Sequence, residues 1–305
     1  MIYFGLLMIL IAGLGNPVQT AVNSRLRTYT VSPLIASAIS FIVGTIILLV
    51  LTLATRRTIL ISGQVAASLP WWAWMGGVMG VIGLTGNILL FPKLGSIRTV
   101  LLPVIGQIIM SMLIDWLGLF GATPVPVSVS KISGLALVFI GLAIYSRSRK
   151  DTNGSKGNLL WCLLAVLMGT VFAIQPAMNA TLAAGISSAI HAAFISFSTS
   201  MLILFAIIAI IPQHRSLVRG AFKVRGPWWA WTGGLFGANY VTMFAWFTPV
   251  LGLGLVSLTG IFGMLTMSTI IDSLGWLGAT KSKINSGQLT GLLIVLAGIV
   301  IIKQF

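Results

Sequence analysis

The chain has 305 residues, of which 57% are hydrophobic and only 7% are charged. A soluble domain normally carries about 25% charged residues, so this composition excludes a soluble globular fold, and the apolar content excludes a disordered chain. The net charge of +15 reflects a lack of acids, since 18 Lys and Arg are opposed only by Asp115, Asp151 and Asp272. The basic residues lie between apolar runs, which is typical of membrane-protein loops and does not indicate a nucleic-acid partner.

Ten apolar runs of helical length follow one another along the chain, without the period-two alternation of a membrane β-barrel. The sequence therefore predicts an all-α integral membrane protein with ten transmembrane helices. The first run lacks the basic start of a signal peptide, so it is predicted to remain as a helix. The runs are 3–22, 33–54, 71–91, 99–121, 132–146, 158–180, 190–211, 228–247, 256–278 and 287–302.

An internal repeat spans the whole chain. PWWAWMGGVMG begins at Pro70 and PWWAWTGGLFG begins at Pro227, an offset of 157 residues that also aligns IDWLGLFGAT with IDSLGWLGAT. The sequence thus predicts two five-helix membrane repeats, residues 1–146 and 158–305, joined by a polar linker at 147–157. Because five is odd, the second repeat enters the membrane from the opposite side, and the two repeats are inverted about an axis in the membrane plane.

The basic residues predict the orientation of the chain. Fourteen of the 18 fall in the odd-numbered loops, and the other side holds only Arg56, Arg57, Lys131 and Lys303. Cytoplasmic loops of membrane proteins are enriched in Lys and Arg, so the odd-numbered loops are predicted to be cytoplasmic. Both termini are then expected on the outer side of the cytoplasmic (inner) membrane.

Two acids lie inside apolar runs, Asp115 in the fourth and Asp272 in the ninth. An ionisable group inside a bilayer is costly, which makes each a candidate for ion coupling, one nearer each face of the membrane. The alternative role is structural. Each Asp precedes a glycine by three residues, Gly118 or Gly275, so the carboxylate could fasten a helix end or accept backbone hydrogen bonds.

Two amide pairs form a second candidate site. An offset of 156 aligns Gln19 and Asn23 with Gln175 and Asn179, and a spacing of four places each pair on one helix face. A proline lies beside each pair, and broken helices often line transporter sites. The four amides are therefore candidate substrate-binding residues, and interhelical hydrogen bonding is the alternative.

The remaining motifs favour packing over chemistry. Gly76 with Gly80, repeated as Gly233 with Gly237, form GxxxG patterns that let helices approach closely. No phosphate-binding loop, catalytic pair or metal-ligand cluster occurs, and the single Cys162 excludes an internal disulfide. The sequence predicts a protein that is not an enzyme and that uses no metal and no cofactor.

The repeated patterns Gln-x-x-x-Asn, Ser-Phe, Pro-Trp-Trp-Ala-Trp and Ile-Asp-x-Leu-Gly-x-x-Gly-Ala resemble the YdcZ-type family of the drug/metabolite transporter superfamily. The resemblance covers nearly the whole chain, in a fused two-domain form. It implies ten helices in two inverted halves and a small-molecule exporter. The related small multidrug-resistance proteins use a glutamate in the first helix, where this chain has Gln19 and Gln175 instead.

We therefore expect a secondary transporter that exports small organic solutes or metabolites across the cytoplasmic membrane by alternating access. Proton coupling through the two acids is part of this hypothesis. A channel and a non-transporting membrane subunit are the alternatives, although the charge rings or carbonyl filter of a channel and the polar docking tail of a subunit are not evident. The expected partners are a small-molecule substrate and the lipid bilayer. Since the two fused halves complete the symmetry, a monomer is expected.

Overall fold

The computed structural model describes residues 2–30, 32–148, 159–211, 226–278, 281 and 283–304. Most of the predicted linker at 147–157 lies outside the described residues, as do the basic loop residues Arg215, Arg219, Lys223 and Arg225. Within the described residues the chain is helical and contains no strand. This agrees with the predicted all-α class.

Ten α-helices occur in the part of the chain that the structure describes. Seven of them are long and apolar enough to cross a membrane, so ten membrane spans remain a prediction. The helices are α1 (Ile2–Thr30), α2 (Pro33–Arg56), α3 (Gly63–Ser68), α4 (Gly76–Leu117), α5 (Val129–Ser148), α6 (Leu159–Gly185), α7 (Ala189–Ile210), α8 (Gly233–Leu251), α9 (Leu253–Leu274) and α10 (Ser286–Gln304).

Helix α4 differs from the prediction, because it joins the runs 71–91 and 99–121 in one helical segment of 42 residues. A straight helix of that length would span about 63 Å, twice the thickness of the hydrocarbon core. Its ends nevertheless meet, since the rings of Trp72, before α4, and Phe120, after it, have centroids 5.4 Å apart. The expectation of two separate helices is therefore corrected: α4 doubles back as two antiparallel arms.

The contacts of α4 with α6 show the same reversal. Gly80 in the first arm lies beside Gln175, and Gly86 lies beside Met168, so this arm runs antiparallel to α6. In the second arm Ile114 packs with Ala173 and the chain returns toward the C-terminal end of α6. The two antiparallel arms of α4 thus occupy the places of the predicted third and fourth helices.

In the second half, Gly252 makes the corresponding reversal. Its φ of 80° ends α8 at Leu251, and α9 begins at Leu253. A residue with a Cβ is strained in this conformation, which explains a glycine at this point. The prolines beside the amide pairs behave differently from the prediction, since Pro17 and Pro176 lie within the continuous helices α1 and α6.

The two repeats interlock through four sets of helix contacts. Helix α1 packs on α8 and α9, and α6 packs on both arms of α4. Helix α2 packs on α7, and α5 packs on α10. Each of these pairings joins the first half to the second. The predicted boundary at 147–157 separates the sequence repeats, and its role as a boundary between folding units stays a prediction.

Glycines set the distance between α5 and α10. A Cβ on Gly141 would lie 2.7 Å from the carbonyl oxygen of Gly291, and a Cβ on Gly134 would lie 2.7 Å from that of Gly298. Both contacts are with backbone, which cannot move aside as a flexible side chain can. Small residues at such crossings let the two helix backbones approach and gain van der Waals contact.

We predict that Gly141→Leu will destabilise the protein by about 1–3 kcal/mol, because an overpacked helix crossing forces the backbones apart. Thermal unfolding of the detergent-solubilised protein measures the effect. Gly63→Ala is the control, because a Cβ at Gly63 would have no atom within 4 Å. Equal melting temperatures for the two variants would contradict a close α5–α10 crossing.

Candidate functional site

The first amide pair lies against glycines of the opposite half. A Cβ on Gly237 of α8 would meet the amide of Gln19, and a Cβ on Gly233 would meet the amide of Asn23. The two amides are four residues apart on α1, and the two glycines are four residues apart on α8. Successive turns of one helix therefore contact successive turns of the other. We call this the α1–α8 seat.

The second amide pair forms the same arrangement, the α6–α4 seat. A Cβ on Gly80 would meet the amide of Gln175, and a Cβ on Gly76 would meet the amide of Asn179. The two sequence patterns, Gln-x-x-x-Asn and GxxxG, are therefore the two sides of one contact. Sequence reasoning treated them separately, although their common spacing of four and their common recurrence could have suggested that they match.

The amides in these seats retain unused hydrogen-bonding capacity. Asn179 is 1% exposed, and neither its Oδ1 nor its Nδ2 has a hydrogen-bond partner; Asn23 Oδ1 is likewise buried and unpartnered. A buried polar group without a partner costs about 1–3 kcal/mol in proteins. The interhelical hydrogen bonds of the alternative hypothesis are thus not formed by these atoms.

A serine strengthens the α6–α4 seat. Ser200 of α7 donates a hydrogen bond through Oγ to the carbonyl oxygen of Gly77 at 2.9 Å, one residue after Gly76. A Cβ on Gly77 would also collide with the Ser196 backbone. Helix α7 thus packs on the first arm of α4 beside α6. The Ser-Phe part of the repeated pattern, which includes Ser196, belongs to this packing.

Asp115 lies elsewhere, at the N-terminus of α9. Leu253 N–H donates to its Oδ1 at 2.8 Å, and Gly254 N–H donates to its Oδ2 at 2.7 Å. The first N–H groups of a helix have no partner within the helix, and a negative charge there is stabilised by the helix dipole. The geometry is that of the structural alternative, a carboxylate that fastens a helix end, and it joins the two halves of the chain.

Asp272 occupies the equivalent place near the end of α9. It is half-buried and takes part in an interaction. Gly275 follows it with a φ of 66° and ends α9, as Gly118 with the same φ ends α4 after Asp115. The glycine three residues after each acid is therefore a left-handed helix cap. The structure keeps Asp115 at one end of the helices and does not bring it to the amide pairs.

Arg56, which the sequence analysis assigned only to a loop, makes another contact between the halves. Its Nη1 donates to the carbonyl oxygens of Ile186 at 2.6 Å and Ser187 at 3.1 Å, directly after the C-terminus of α6. A cation at this end of a helix is stabilised by unpaired carbonyl groups and by the helix dipole. A lone arginine at the end of an apolar run is the sequence signal that could have suggested this role.

Two open clefts lie at opposite ends of the helices, with volumes of about 640 and 630 Å³. The first is lined by Val18, Arg25, Trp229, Met267, Trp276 and Leu277. The second includes Arg56 and Ser187 in its lining, beside the C-terminus of α6. Neither is lined by the predicted amides or acids.

Comparison with known proteins identifies the family. The family model described as "Putative inner membrane exporter, YdcZ" matches residues 4–144 and 160–301, and the chain belongs to this family, in its fused two-domain form. It is thus a multi-pass membrane protein of a transporter family rather than an enzyme. No curated protein matches the chain. A solved structure described only as "Crystal structure of protein" is 12% identical, covers 98% of this chain and 94% of its own, and has a TM-score of 0.66, which shows a shared fold.

We predict that Gly233→Ala will destabilise the protein, since the new methyl group meets the Asn23 amide. Asn23→Ala removes the obstructing amide, so the double variant will unfold at a higher temperature than Gly233→Ala alone. Residues in direct contact show coupling energies of about 0.5–3 kcal/mol in such cycles. Additive effects in thermal unfolding would contradict the α1–α8 seat.

We predict that Asp115→Ala will lower stability by about 1–3 kcal/mol, because it leaves two helix N–H groups unpaired in a buried position. Asp115→Asn retains one acceptor oxygen and will lose less. Thermal unfolding of the three proteins gives the order. An Asp115→Ala variant as stable as the parent would show that the carboxylate does not hold α9.

Proposed function

We propose that the chain is a secondary transporter that exports small organic solutes across the cytoplasmic membrane by alternating access, with the four seat amides as substrate-binding residues. The observation that carries the proposal is the pair of equivalent seats between the two halves. An inverted repeat provides two related arrangements of one protein, and their exchange opens a central site to each side in turn.

The helix contacts support a proposal about which parts would move. Helices α1, α8 and α9 pack together, and α6 packs with both arms of α4. Each group combines helices of both halves. Helix α1 of the first half joins α8 and α9 of the second, and α4 of the first half joins α6 of the second. We infer that alternating access is a movement of the α1–α8–α9 group against the α4–α6 group, rather than of one sequence repeat against the other.

The amides are suited to a site that solutes occupy in passing. Asn23 and Asn179 lie in glycine-lined seats with polar atoms that no protein group satisfies. Because a hydrogen bond lost in the membrane interior is costly, a solute or water that reaches these atoms gains a partner without breaking an existing bond. The absence of charged residues from the sequences of α6 and α8 favours uncharged or weakly charged solutes.

Asp115 provides a route for proton coupling. The carboxylate holds the N-terminus of α9, in one group, to α4, in the other. Protonation would remove the charge that makes these two hydrogen bonds strong, and would therefore loosen the contact between the groups. Arg56 closes the same end of the molecule on α6. Asp272 would act in the same way at the opposite end.

The orientation follows the distribution of basic residues. Odd-numbered loops face the cytoplasm, both termini face outward, and the Asp115 and Arg56 contacts lie on the outer side. A fused chain supplies both halves of each seat, so the transporting unit is a monomer. These assignments rest on the loop charges and the repeat.

The test is electrogenic current from proteoliposomes on a solid support, with small amines, guanidinium compounds, amino acids and sugars, with and without a pH gradient. We expect a saturable current with at least one class, dependent on the gradient and lost in Asp115→Asn/Asp272→Asn. Labelled-solute uptake covers electroneutral exchange.

Asp151→Asn, in the polar linker, is the matched control for the loss of an acid and will transport like the parent. A current retained in the double variant would return both acids to a structural role, and flux proportional to concentration without saturation would indicate a channel. No flux of any solute in either assay would contradict transport.

A further inference from the structure

We infer that the open cleft beside Arg25 binds an organic monoanion that carries an aromatic ring, a compound of the aryl carboxylate class. This cleft, which we call the Arg25 cleft, has a volume of about 640 Å³ and lies at one end of the helices. None of the four seat amides lines it, so the inference goes beyond the proposed transport site.

Three residues of the cleft lining have counterparts in the other half of the chain. The counterparts, at the repeat offsets of 156 and 157 residues, are Thr181 for Arg25, Trp72 for Trp229 and Phe120 for Leu277. Phe120 and Leu277 have the same left-handed backbone conformation, with φ of 55° and 56°. The two turns are therefore built alike, and the difference between the two places arises from their side chains.

At the counterpart place, an aromatic ring of the protein fills the space. The Phe120 ring meets the Trp72 ring edge-on, with centroids 5.4 Å apart. The Thr181 hydroxyl donates a hydrogen bond to the carbonyl oxygen of Phe120. Phe120 also packs on the buried cluster that includes Ile114 and Ala177. The arrangement thus accommodates an aromatic ring together with an acceptor oxygen that receives a hydrogen bond from position 181.

In the Arg25 cleft, the chain supplies no such ring. Leu277 is aliphatic and smaller than phenylalanine, and the cleft stays open beside Trp229. A second indole, that of the exposed Trp276, also lines the cleft, and Met267 and Val18 add apolar surface. Aromatic rings in contact gain energy beyond the burial of their area. The cleft therefore offers two indole rings and an apolar wall to the ring of a ligand.

Arg25 replaces the hydroxyl donor of Thr181 with a cation. Its side chain is exposed, and its guanidinium carbon lies 5.6 Å from the centroid of the Tyr29 ring. A guanidinium group has five N–H donors in a fixed plane, and it binds a carboxylate through two parallel hydrogen bonds. The acceptor that suits Arg25 is therefore a carboxylate, where Thr181 suits a neutral carbonyl oxygen.

The charges near the cleft also favour an anion. Arg27 is exposed on the same helix as Arg25, and the exposed Lys281 and Lys283 come soon after the end of α9. Asp272 does not line the cleft and has an interaction of its own. An excess of positive charge raises the local concentration of anions. With one arginine in the lining, the charges match a ligand with a single carboxylate.

The test is equilibrium dialysis of labelled benzoate against the purified full-length protein in an uncharged detergent at neutral pH. Three unlabelled competitors separate the features of the ligand. Benzamide has the ring without the charge, cyclohexanecarboxylate has the charge without the aromatic ring, and benzylamine carries the opposite charge. We expect benzoate to bind about tenfold more tightly than any of the three, as hydrogen bonds to charged groups and ring contacts predict.

Two substitutions introduce residues of the other half. Arg25→Thr removes the cation, and Leu277→Phe supplies the ring that fills the counterpart place. Each will weaken benzoate binding about tenfold, the effect of losing charged hydrogen bonds or the space for the ring. Arg27→Thr removes an exposed cation that does not line the cleft, so this control will bind like the parent. Melting temperatures show that the variants are folded.

Benzoate that binds no more tightly than benzamide would overturn the assignment, and so would unchanged binding in folded Arg25→Thr and Leu277→Phe. An anionic lipid is the other source of a matching charge. Stabilisation by phosphatidylglycerol that is lost in Arg25→Thr, without benzoate binding, would also overturn it. Binding requires no turnover, so the flux measurements judge transport separately: flux without benzoate binding would overturn this inference alone.

Discussion

The close approach of helix backbones at GxxxG glycines is the constraint on which the rest of the structure depends. Gly233 and Gly237 admit the amides of α1, and Gly76 and Gly80 admit those of α6. Without a side chain on these glycines, a polar amide can lie against a helix backbone in the membrane interior. The same absence of side chains lets α1 and α6 pack closely on helices of the opposite half, two of the four sets of contacts that interlock the repeats.

Charged groups complete the fold at the helix ends, where the backbone itself is polar. Asp115 satisfies N–H groups of α9, and Arg56 satisfies carbonyl groups after α6. In a membrane every exposed backbone group needs a partner, so a helix that ends against another helix requires such a contact. The acid pairs unsatisfied N–H groups at a helix start, and the arginine pairs unsatisfied carbonyl groups after a helix end. Both contacts join one half of the chain to the other. A movement that opens this end must break both contacts.

The hydrophobic runs could be predicted from the sequence because they are local, and the repeat could be found by aligning the chain with itself. The sequence did not predict where the helices end or how the chain reverses between them. Helix α1 continues to Thr30, past Arg25 and Arg27, because a helix does not end where its apolar stretch ends. The reversal inside α4 lies between the two predicted runs, as expected. Hydropathy alone, however, cannot distinguish a loop from a continuous, sharply bent helical segment.

The partners of the candidate residues could not be predicted, since they are distant in sequence. Asp115 binds Leu253, 138 residues away, so the choice between coupling and helix capping could not be made from either segment alone. In a duplicated protein, recurrence identifies what the scaffold requires.

The departures from recurrence then carry separate information. After duplication, a position that only supports the fold is under the same constraint in both halves, because both occupy equivalent surroundings. A solute has no such symmetry, and a site that recognises it at the pseudo-two-fold axis needs different groups on its two sides. Gln107, whose repeat counterpart is Met264, and Tyr240, whose counterpart is Gly83, are positions at which the two halves differ. Selectivity in a fused chain of this kind can therefore arise where its halves differ, while the two seats stay alike in both halves.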